Sequence, residues 1–85
     1  MEINESARKH GVADDDMLYA VEFLLVEFDA GDDDSQRRWL VLGPNRAGLM
    51  LELVVLVFDD GGEMVIHAMA MRSKYDELLP EVSDE

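Results

Sequence analysis

The 85-residue chain contains no cysteine, only two prolines and a single tryptophan. Without thiols there is no disulfide framework, no thiolate nucleophile and no cysteine zinc site, so packing alone must hold the fold. Cations are scarce as well: seven Lys and Arg stand against 20 Asp and Glu, a formal charge of −13. A surface this acidic repels phosphate and anionic lipid, which argues against a broad nucleic-acid cradle. The longest apolar run, Leu53 to Phe58, falls far short of the roughly 20 residues a membrane helix needs. No basic-then-apolar signal pattern opens the chain. The expectation is a cytoplasmic protein with no membrane partner. P-loop, GxSxG, HExxH and paired metal-ligand histidine motifs are missing, so neither a cofactor nor a metal is expected. The aspartate clusters at 14–16, 32–34 and 59–60 lack the alternating oxygen ligands and closing Glu of a calcium loop, and read as caps and turns.

What is present is 48% hydrophobic residues with few Gly and Pro, enough for one compact domain over 1–80 followed by an acidic tail, 81–85. Asn4 or Ser6 can cap a short first helix carrying Arg8 and Lys9, with Gly11 just past its end. Asp14, Asp15 and Asp16 open a second helix, whose Met17, Ala20, Val21 and Leu24 form a buried stripe widened by Leu18 and Leu25. Short apolar runs then predict strands near 25–30, 37–43, 49–58 and 63–70, separated by Gly31–Ser35, Gly43–Gly48 and the hairpin signal Asp59-Asp60-Gly61-Gly62. Met71, Tyr75, Leu78 and Leu79 return to helical spacing until Pro80. The order αα, four strands, α implies a two-layer α+β domain, with N-terminal helices packed on a four-stranded antiparallel sheet and a C-terminal helix.

Loops of even length sort the sheet faces. One face then carries Leu49, Leu51, Leu53, Val55 and Val57 beside Met64, Ile66, Ala68 and Ala70, all apolar. The other carries Glu52 and His67, and pairing Leu42 with Leu49 adds Trp39 opposite Glu52, with Arg37 nearby. Glu52 is the only charge between Leu49 and Phe58. A buried carboxylate without partners is costly, so it must find a cation or shift its pKa. Two readings follow: a concave site in which Glu52 or His67 handles protons while Trp39 stacks a planar ligand, or a half-exposed face on which Glu52 simply pairs with Arg37 or His67.

The run Ala7-Arg8-Lys9-His10-Gly11-Val12, the acidic start of the next helix, the turn and strand Gly43-Pro44-Asn45-Arg46-Ala47-Gly48-Leu49-Met50-Leu51-Glu52, and the closing Val65-Ile66-His67-Ala68-Met69-Ala70-Met71-Arg72 resemble the BrnT-like toxins of bacterial toxin–antitoxin modules. The resemblance covers residues 6 to 79. It implies a RelE-like fold, a small ribonuclease that inhibits translation, and neutralisation by a ribbon-helix-helix antitoxin. It singles out His10, Arg46, Glu52 and Arg72.

A metal-free ribonuclease needs a base for the 2′-hydroxyl, an acid for the leaving oxygen and cations for the phosphate. Glu52 or His67 suits the first role, His67 or Tyr75 the second, and Arg37, Arg46, Arg72 and Lys74 the third; His10 and Trp39 complete the RNA-contacting set. The alternative is a catalytically silent, acidic protein-binding or regulatory module of the same fold. Both readings call for a partner with a basic face, RNA being disfavoured by the net charge, and homodimerisation is compatible with either. Adaptation to high salt would account for the acidity separately from function.

Overall fold

The structure is a computed structural model and describes residues 1–33 and 36–80. Its centre is a five-stranded mixed sheet of β1 (Glu2–Ile3), β2 (Val26–Asp33), β3 (Gln36–Pro44), β4 (Met50–Phe58) and β5 (Glu63–Ala70), in the order β1-β5-β4-β3-β2. The pairs from β2 to β5 are antiparallel; β1 lies parallel to β5, with Glu2 beside Met64 and Ile3 beside Val65.

This corrects the expected four-stranded antiparallel sheet with N-terminal helices and a C-terminal helix. The first expected helix is a 3-10 segment, Glu5–Arg8, capped by Asn4, whose side chain accepts from the Ser6 N–H. It cannot extend because the Ser6 hydroxyl is donated to the Ile66 carbonyl and Gly11 turns the chain at φ 78°. The closing helix is likewise 3-10, Ser73–Leu78. Pro80 biases the preceding residue away from helical geometry, and Leu79 is extended. Asp34 and Ser35 of the expected acidic loop and the expected acidic tail, 81–85, lie outside the described residues.

The one α-helix among the described residues, α1 (Asp14–Glu22), is preceded by Ala13, which offers no side-chain cap. Its first-turn carboxylates oppose the positive end of the helix and also bind cations: Asp14 pairs with Arg8 at 2.9 Å and Asp16 with Arg46 at 2.8 Å. Met17 and Ala20 are fully buried, Val21 and Leu24 partly so; Leu18 and Leu25, expected in the same stripe, are exposed. The helix packs so closely on β3 that a Cβ at Gly43 would collide with the Ala20 carbonyl oxygen. Ala7, Val41, Leu51, Leu53, Val55, Val65 and Ala68 complete this core.

Strand register differs from expectation at two turns of odd length. Asn45 closes onto Leu49 (N to O 2.7 Å), leaving Arg46, Ala47 and Gly48 as the loop, so Leu42 faces Glu52 and Trp39 faces Val55. Phe58 closes onto Gly62 (2.8 Å), so Val65 lies opposite Val55. A bulge at Ile66 then restores the alternation, and Glu52 faces Met69 and Leu53 faces Ala68. Val65 therefore belongs to the helix-covered core and is wholly buried, in place of the expected Met64 and Ile66; Leu49, expected there too, is exposed.

Candidate functional site

On the face away from α1, Glu52 sits between Leu42 of β3 and Met69 of β5 and is 1% exposed, the only buried charged residue among those described. Its position on β4 is fixed by hydrogen bonding to both neighbouring strands, and its cation arrives from the residue that leaves the sheet. The Met71 N–H bonds the Met50 carbonyl (3.0 Å), continuing the ladder by one step and turning Arg72 back over Glu52.

Every acceptor direction of the carboxylate is then used. Oε1 accepts from the Arg72 backbone N–H and Nε, each at 3.0 Å, and Oε2 from Arg72 Nη2 at 2.6 Å. His67 Nε2 lies 3.0 Å from the same Oε2. Burial on its own raises the Glu52 pKa, but the Arg72 guanidinium and N–H, with the His67 ring, reverse the effect and hold it at about 2. Reciprocally, the hydrogen bond to Glu52 raises the Arg72 pKa.

The chemistry follows from that saturation. An ionised carboxylate is an acceptor only, so His67 Nε2 must carry the proton of their shared hydrogen bond, which in the neutral ring leaves the lone pair on Nδ1. Glu52 is thereby a poor proton acceptor at neutral pH, while His67 has 28% of its side chain exposed.

Around this pair the structure brings several of the expected residues together. The His10 ring stands edge-on to His67 with centroids 5.9 Å apart. The Tyr75 ring lies under two cations, 5.8 Å from the Arg72 guanidinium and 5.1 Å from Lys74 Nζ. Half of the Arg72 side chain remains in solvent. A cationic rim therefore borders the two imidazoles despite the acidic surface.

Three expected members are elsewhere. Trp39 points into the helix-covered side, with the Arg37 guanidinium 5.5 Å from its ring and Arg37 bound to Asp29 at 2.9 Å. The odd turn at 46–48 reverses the parity that would have placed both beside Glu52. Arg46 ties the turn to the start of α1, donating its backbone N–H and Nε to Asp16. Sequence reasoning overlooked Leu42 as a side wall of Glu52, having set it opposite Leu49, and an odd loop at 46–48 would have found it; Met69 lies on the expected face. Among the described residues no group of three or more His, Asp and Glu could hold a metal ion, and no helix is long and apolar enough to cross a membrane. No family model, no curated protein and no solved structure matches the chain.

Proposed function

We propose that the protein is a toxin-type endoribonuclease that works without a metal and acts on cytoplasmic RNA to inhibit translation. The observation that carries this reading is the Glu52-oriented His67 beside His10 and Arg72. His67 Nδ1 takes the proton of a 2′-hydroxyl, the freed oxygen attacks phosphorus, and the 5′-oxygen leaves with a proton from His10, giving a 2′,3′-cyclic phosphate. Arg72 and Lys74 hold the phosphate oxygens as charge grows on them, and Tyr75 keeps both cations in place. The BrnT-like motifs support the toxin role, and with it a ribbon-helix-helix antitoxin that offers a basic face to this acidic chain.

The net charge of −13 favours a second reading, a catalytically silent acidic module that binds a basic protein. One experiment separates them: growth and total RNA integrity after induction of the wild type and of His67→Ala at matched soluble levels. Growth arrest with fragmented RNA, and a loss of cleavage of about 100-fold or more in the variant, supports the nuclease. Normal growth with intact RNA for the wild type rejects it in favour of the binding module.

A further inference from the structure

Beyond the end of α1, on the sheet face opposite the Glu52 cluster, a cavity of about 180 Å³ opens between helix and sheet. Its walls are apolar: Val21 of α1, Leu24 just past its end and Val57 of β4, with Trp39 of β3 half-buried among them. Two carboxylates line it as well, Glu27 and Glu63. Both are exposed at the cavity rim, and neither makes an ion pair or a side-chain hydrogen bond among the described residues.

The sheet register separates these two acids. Glu27 lies on β2 in the row of Val41 and Leu53, whereas Glu63 lies on β5 in the row of Val57 and Arg37. The strand order puts β3 and β4 between them, with Trp39 in the intervening row. A carboxylate thus stands toward each end of an apolar trough floored by an indole. Such an arrangement is complementary to a molecule with a cation at both ends and methylenes in the middle: the stem takes the apolar walls that Trp39 shares with Val21, Leu24 and Val57, the Arg37 guanidinium already standing 5.5 Å from the indole centroid, and each ammonium meets an unpaired carboxylate. The volume is below the roughly 300 Å³ at which drug-sized ligand pockets begin, which suits a slender chain and excludes a nucleotide or a flat cofactor.

We infer that this trough is a binding site for a linear aliphatic diamine, held between Glu27 and Glu63 across Trp39. The site is independent of the nuclease reading, since it shares no residue with the Glu52 cluster.

Trp39 is the only tryptophan, so its fluorescence reports occupancy directly. The full chain is titrated at low ionic strength with 1,6-diaminohexane, n-hexylamine and 1,6-hexanediol. Saturable change with the diamine, binding at least about tenfold tighter than the monoamine, and no response to the diol are expected. Glu27→Gln and Glu63→Gln should each bring the diamine down to the monoamine's affinity. Asp76→Asn/Glu77→Gln, which removes charge from exposed positions in the 3-10 segment after β5, away from the trough, should leave it unchanged, as should His67→Ala. A monoamine that binds as tightly as the diamine, a control pair that loses as much affinity as the trough variants, or the absence of a saturable response overturns the proposal.

Discussion

On the face covered by α1, Leu53, Val55, Val65 and Ala68 are buried against Met17, Ala20 and Ala7, all apolar. On the other face, Glu52 reaches the same depth accompanied by Arg72 and His67. The two forms of burial differ in how they distribute energy. Apolar contact is non-directional, so its stabilisation is spread over many residues and no partner is indispensable. The ionic cluster is directional and concentrated in one carboxylate, and losing either partner leaves a buried charge exposed to its full desolvation cost. The cluster therefore fixes where the chain leaves β5 and which way His67 faces, while the core sets most of the stability.

The largest effect is expected at Arg72. Arg72→Met should destabilise by about 3–5 kcal/mol in urea unfolding, because it strands Glu52; a Glu52→Leu/Arg72→Met double variant should recover most of that loss. If the single variant costs less than about 1 kcal/mol, the contrast between the faces collapses. Leu53→Ala, on the apolar face, should cost about 2–5 kcal/mol, and here no second substitution at a single neighbour should restore it.

Acid sharpens the contrast. The Glu52 carboxyl titrates at about 2 in the folded state instead of the ordinary 4.5. Its contribution, about 3 kcal/mol, is complete above pH 4.5 and lost as pH falls toward 2. Unfolding free energy should decline over that window, and Glu52→Gln should flatten the decline; the half-buried Asp14 and Asp16 and the exposed Asp29, whose pKa values are also lowered, leave a residual slope. Gly43→Ala should cost about 1–3 kcal/mol by pushing α1 off β3, seen as a lower melting temperature. The smallest effect belongs to Arg46→Gln: its exposed ion pair with Asp16 should contribute less than about 1 kcal/mol and weaken with added salt.

The four long strands, the start of α1 and the Asp59–Gly62 hairpin were legible in the sequence because apolar periodicity and turn chemistry are local signals. Parity was not. Whether a turn has an odd or even number of residues depends on side-chain bonds such as Asn45 Oδ1 accepting from Ala47 and Leu49, and Asp60 Oδ1 from Gly62. An odd turn before β4 carried Trp39 and Arg37 away from Glu52. An odd turn before β5 would have carried His67 away too, had the Ile66 bulge not compensated. The pairing of Glu52 with His67 was thus anticipated from a register that holds only beyond the bulge. β1 escaped notice because two residues carry no periodicity, and its pairing depends on β5 being in place.

That dependence has a kinetic side. Hairpins such as β4–β5 close over short loops and can form early, whereas β1 joins Glu2 to Met64 and Ile3 to Val65 across nearly the whole described chain. Loop closure over such a separation is entropically unfavourable until the intervening strands have collapsed, so β1 should dock late, after the rate-limiting assembly of the meander. During synthesis Glu2 and Ile3 emerge before β5 and must wait for it, and in the interval the edge of β5 around Met64 and Val65 is the stretch most open to mispairing with another chain.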